Sequence, residues 1–92
     1  MKAILTYTTM TDGKAEEKTR LFDTAKAKKN CDVKNAFNYK VQEIYITEKG
    51  VVFFRNMNED TLEIPNQKEV KKWIGANKPE QYIKFFGKVE EG

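Results

Sequence analysis

The sequence contains no histidine, so the commonest general base, pH switch and neutral metal ligand is missing. Cys31 is the only cysteine. One thiol allows neither an intramolecular disulfide nor a structural zinc set, and without a histidine nothing obvious would activate it as a nucleophile. Its expected role is that of a small, half-buried apolar residue, and a lone cysteine fits a reducing compartment. Arginine is nearly absent too. Of 17 basic residues only Arg20 and Arg55 carry the guanidinium fork that reads guanine or grips a carboxylate; the rest are lysines, hydrated point charges. Sequence-specific reading of DNA is therefore disfavoured. No apolar run approaches the roughly 18 residues of a membrane span. The opening Met1-Lys2-Ala3-Ile4-Leu5 turns polar at Thr6, giving no signal-peptide core. A cytoplasmic, membrane-free protein is the expectation. No Walker A loop or dinucleotide glycine pattern occurs, and no two carboxylates are spaced for acid–base or metal work. Neither a cofactor nor a metal site is expected, and the chain reads as a non-enzyme.

What is present suits one small domain over residues 1–92. Four Tyr, six Phe and one Trp supply core bulk despite 34% charged residues and a formal net charge of +3. Lys2 to Met10 alternates Ala3, Leu5 and Tyr7 with polar or β-branched residues, which predicts a strand. Asp12-Gly13 suits a tight hairpin bend. Ala15 to Phe22 reads either as a second strand or as the opening of a helix capped at Asp12. The hairpin is favoured because Leu21, Phe22 and Ala25 make barely one turn of apolar face. Asp23 or Thr24 would then cap a short helix from Ala25 to Asn30. The Lys-rich stretch 26–40, punctuated by Asn30, Asn35 and Asn38, is expected to be the least regular.

The clearest unit is Lys40 to Met57, where VQEIYIT and VVFFRNM flank Glu48-Lys49-Gly50. A three-residue loop with Gly50 in the left-handed region pairs Thr47 with Val51. Ile46 then opposes Val52, Ile44 opposes Phe54, and Glu43 opposes Arg55 as a cross-strand ion pair. Asn58-Glu59-Asp60 predicts a turn, Thr61 to Ile64 a short strand, and Asn66 with Glu69 a helix N-terminus. Val70, Trp73 and Ile74 stripe the helix 67–76. Pro79 opens a second helix that Gly87 ends, with Tyr82, Ile83 and Phe86 as its packing face. The fold class is α+β: a small antiparallel sheet, two hairpins plus a short strand, with the C-terminal helices packed on one face.

The Thr47-Glu48-Lys49-Gly50 hairpin with Phe53-Phe54, the Leu62-Glu63-Ile64-Pro65 segment, the Glu69-Val70-Lys71-Lys72-Trp73 helix and the Tyr82-to-Glu91 ending together form a pattern. It resembles small proteins of phages and conjugative elements of low-GC Gram-positive bacteria. The Asp12-Gly13-Lys14 turn before Phe22-Asp23-Thr24 is similar to their N-terminal part. Many such proteins have a longer Gly-rich insertion where Asn58-Glu59-Asp60 stands here, and no catalytic residues carry over. The resemblance implies a phage or mobile-element protein that binds and inhibits a host protein, an anti-CRISPR-like inhibitor of a defence nuclease being the most concrete form.

Two surfaces compete as the binding site. The outer hairpin face holds Glu43, Tyr45, Phe53 and Arg55, types enriched at binding hot spots, with Lys49 at the loop tip. The N-terminal strands or a helix would, in the alternative, cover this face and make it core. Lys26, Lys28, Lys29, Lys34 and Lys40 could track a phosphate backbone, with Phe37 and Tyr39 beside them for base stacking. A third expectation is a structural module that homodimerises through an exposed strand edge.

Overall fold

The computed structural model describes all 92 residues, Met1–Gly92. Six strands precede two helices: β1 (Lys2–Thr11), β2 (Lys14–Asp23), β3 (Lys28–Lys34), β4 (Lys40–Ile46), β5 (Val52–Asn56), β6 (Thr61–Glu63), α1 (Gln67–Asn77) and α2 (Pro79–Phe86). The α+β class holds, but the strands divide into two sheets. β1 and β2 form a two-stranded sheet of their own, while β3-β4-β5-β6 form a four-stranded antiparallel sheet in that order.

The β1–β2 hairpin turns at Asp12 and Gly13, both with positive φ (51° and 76°), the backbone sign that a two-residue turn matched to strand twist requires. The β4–β5 loop closes as its residues dictate. Gly50 sits at φ 85°, its N–H donates to Thr47 O (2.9 Å), and Thr47 N–H donates to Val51 O (3.0 Å). Glu43 therefore opposes Arg55, Ile44 opposes Phe54, and Ile46 opposes Val52. Because side chains alternate along a strand, this register sends the aliphatic set to one side and Tyr45 and Phe53 to the other.

Both sides are covered. On one, α1 brings Val70 and Ile74 onto Ile44, Ile46 and Val52, with half-buried Trp73 of α1 and Tyr82, Phe85 and Phe86 of α2 around them. Asn66 starts α1 by accepting the Glu69 N–H on its side-chain oxygen (3.0 Å), and Pro79 occupies the first turn of α2. On the other side the β1–β2 hairpin packs Phe22 against Phe53 and Leu62, with Ala3, Leu5, Tyr7 and Tyr45 flanking. The result is three layers: hairpin, sheet, helices.

Three expectations are corrected. Residues 25–30 form no helix: after a turn in which Asp23 Oδ1 accepts the Ala25 N–H (2.9 Å), the chain enters β3. One turn of apolar face cannot compete with pairing to the β-branched edge of β4. The basic stretch 26–40 is accordingly regular, a strand with a bulge at Asn30 followed by an ordered loop. Asn30 is buried in that bulge. Finally, of the two readings of the outer β4–β5 face the open one gives way and the covered one holds at Tyr45, Val51 and Phe53, because the N-terminal hairpin lies over them. Neither helix is long and apolar enough to cross a membrane.

Candidate interaction site

Of the residues proposed for partner binding, Glu43, Tyr45, Phe53 and Arg55 lie together, but beside a buried carboxylate instead of on an open face, and Lys49 stands apart from them. Phe53 has no exposed surface; it stacks on Tyr45 (ring centroids 5.5 Å apart) and meets the edge of Phe22 (5.2 Å). Glu43 is buried and takes contacts from Lys29 (3.1 Å), Lys40 (3.0 Å) and Arg55 (3.5 Å), while the Tyr45 hydroxyl donates to its Oε1 (3.1 Å). Lys29 also pairs with Asp32 (2.7 Å), and Arg55 with Asp60 (3.0 Å). Burial by itself would raise the Glu43 pKa. Hydrogen bonds from Lys40, Lys29 and Tyr45 outweigh it and lower the value from 4.5 to about 2. Burial and the same bond to Glu43 push the Tyr45 phenol up. Three cations and three carboxylates thus balance in one network, which ties β3, β4 and β5 together and leaves little free charge for a partner.

That network also divides the lysines of the nucleic-acid alternative. Lys29 and Lys40 are committed to Glu43, whereas Lys26, Lys28 and Lys34 are exposed and make no ion pair. Lys49 is exposed at the β4–β5 loop. Burial raises the Cys31 pKa, against lowering by Lys78 and Lys29, and so moves the thiol away from the reactive thiolate. No three Cys, Asp or Glu side chains gather as a metal-ligand group.

Two surfaces display aromatic or aliphatic side chains in water. The first is the β3–β4 loop, where Phe37 and Tyr39 are 81% and 71% exposed. Asn35 builds this loop: its side-chain oxygen accepts the N–H groups of Phe37 (2.9 Å) and Tyr39 (3.1 Å). Its backbone N–H donates to Tyr39 O (2.9 Å), its carbonyl accepts from Asn38 (3.0 Å), and Asn38 takes a φ of 66°. An Asx-type turn of this kind fixes the backbone, so the two aromatic rings are displayed from a defined frame. Phe37 and Tyr39 entered the sequence reading only as companions to the lysines. Their exposure follows from the Asn35 turn, and the Asn-x-x-Asn spacing was the available signal.

The second is the outward face of the β1–β2 hairpin. Ile4 and Leu21 are cross-strand partners, and they and Met10 stay largely in water among Thr6, Thr8 and Thr19, with the Thr6 and Thr19 hydroxyls 2.9 Å apart. Alternation explains it: with Ala3, Leu5 and Tyr7 inward, Ile4 and Met10 must face out.

No protein-family model, no curated protein and no solved structure matches the chain.

Proposed function

We propose that the protein is a non-enzymatic binding module, of phage or mobile-element origin, that occupies a surface of a host protein and inhibits it, a defence (CRISPR-type) nuclease being the most concrete target. The observation that carries this reading is the Asn35-built loop holding Phe37 and Tyr39 in water. Aromatic side chains are enriched at binding hot spots, and a fixed loop loses little entropy when it docks. The origin and the target class rest on the resemblance described above. On the chemical side, the chain has no histidine and its single thiol is pushed toward the protonated form. The mechanism is occlusion, with the aromatic pair seated in an apolar recess of the target.

The test is affinity capture from host lysate with mass spectrometry, followed by assay of the captured target's activity. Wild-type protein retains one host protein and suppresses its activity in proportion to occupancy. Phe37→Ala with Tyr39→Ala leaves thermal stability within about 0.5 kcal/mol, as for exposed positions, and loses capture. Retained capture in that variant removes the loop from the reading. Wild-type protein that captures nothing specific removes the reading itself.

A second reading, self-association, is favoured by one observation: the exposed Ile4–Leu21 pair on a hairpin with no strand beyond either edge.

A further inference from the structure

The sheet-facing side of β2 changes character along its length. Phe22 is buried in the core beneath the hairpin, yet the next residues on the same side, Arg20 and Lys18, are cations standing opposite Leu5 and Tyr7 of β1. A strand face turned toward another sheet is ordinarily apolar. Here the inward cations line an open groove of about 720 Å³ between the N-terminal hairpin and the β4–β5 loop. Lys26 and Lys49 enter it from the β2–β3 turn and the loop tip, so four cations from separate segments meet there. The acids on its wall are Asp23 and Glu48, and the Asp23 carboxylate already accepts the Ala25 N–H.

None of the four cations makes an ion pair. All five ion pairs of the molecule belong to Lys29, Lys40 and Arg55 on the opposite part of the sheet. Arg20 donates only to the carbonyl of its neighbour Thr19 (2.8 Å), which leaves most of its fork free. The remaining wall is apolar and aromatic: Tyr7, set edge-on to Phe22 with centroids 5.7 Å apart, Ala27 and Val51. The Thr9 hydroxyl on the same wall is shielded and has no partner in the protein.

The geometry points to a binding groove for a nucleotide phosphate: a multiply charged phosphate held by Arg20, Lys18, Lys26 and Lys49, with a flat base against Tyr7. Guanidinium forks and lysine ammoniums are the groups that hold phosphate, and the volume lies within the range of about 300–1,000 Å³ typical of small-ligand sites. A free nucleotide and the backbone of a single strand present the same chemistry. This inference is independent of host-protein binding, since it uses neither Phe37 nor Tyr39.

The experiment is calorimetric titration of the full chain with ATP and, separately, with a short oligothymidylate, at low and at moderate salt. The groove predicts binding of at least one probe. Arg20→Gln with Lys49→Gln weakens that binding by about tenfold or more. Lys72→Gln with Lys88→Gln, which removes the same charge elsewhere, changes it by less than about threefold. Binding of ATP alone assigns the groove to free nucleotides. Binding of the strand, falling roughly 50-fold between about 50 and 200 mM salt as four contacted phosphates require, assigns it to a backbone. If neither probe binds at low salt, or if both double variants weaken binding equally, the groove is not a phosphate site.

Discussion

Glu43 and Arg55 stand directly opposite each other on β4 and β5, with a guanidinium nitrogen 3.5 Å from the carboxylate. The pair belongs to a larger arrangement, since Lys29, Lys40 and Tyr45 converge on the same buried carboxylate. Its folded pKa of about 2 lies below the ordinary 4.5, so the stabilisation it provides is complete above 4.5 and disappears as pH falls toward 2. With Lys29 and Lys40 partly exposed, screening trims the effect to about 2–3 kcal/mol at neutral pH. Urea unfolding across that range should show wild type losing this increment relative to Glu43→Gln, whose own stability lacks this acid dependence. Equal acid sensitivity in the two proteins would place the titration elsewhere.

Phe53→Ala should cost about 3–5 kcal/mol, because it opens a cavity between the hairpin and the sheet with no exposed route to collapse. The urea midpoint is the measurement. A loss under about 1 kcal/mol would mean that the hairpin does not cover this face in solution.

Gln67 at the start of α1 acts on β5 as a missing strand would. Its Oε1 accepts the Val52 N–H (2.8 Å), and its Nε2 donates to the Val52 carbonyl (2.8 Å) and to the Pro65 carbonyl (3.1 Å). Gln67→Ala leaves the buried Val52 backbone unpaired and should cost about 2–3 kcal/mol. Hydrogen exchange at the Val52 amide should rise more than at Ile44, which keeps its ladder bonds.

Gly50→Ala forces a Cβ into a backbone with φ of 85°, although nothing lies within 4 Å to obstruct it. The expected cost is about 1 kcal/mol, from conformation alone. A thermal melt on the variant measures it, and a much larger loss would indicate a changed loop register.

Light scattering tests self-association. If the protein is dimeric, Ile4→Thr with Leu21→Thr should return it to the monomer without loss of stability, both residues being largely exposed. A dimer that survives the change uses another surface.

Much of this molecule is legible in its sequence through local chemistry. Asp12-Gly13 and Gly50 need backbone conformations that few other residues tolerate, so they fixed two turns, and the Gly50 turn fixed the pairing of Glu43 with Arg55. Asn66, Pro79 and Gly87 marked helix ends for equally local reasons. β3 was missed because Lys28–Lys34 has too few apolar residues to announce a strand; it forms by completing hydrogen bonds to β4, a partner several residues on. The same limit governed the site. Whether Tyr45 and Phe53 face water depends on where a hairpin more than twenty residues upstream comes to rest, and nothing in their own neighbourhood encodes that.

Composition and turn chemistry, acting over a few residues, determined the α+β class, the β4–β5 register and the two helices. Tertiary packing decided which faces are dry, that Glu43 lies at the centre of a balanced charge network, and that Lys18, Arg20, Lys26 and Lys49 share one groove. The physical reason is distance: hydrogen-bonded turns and caps close within a few residues of chain, whereas burial and charge pairing depend on which distant segments come to lie together.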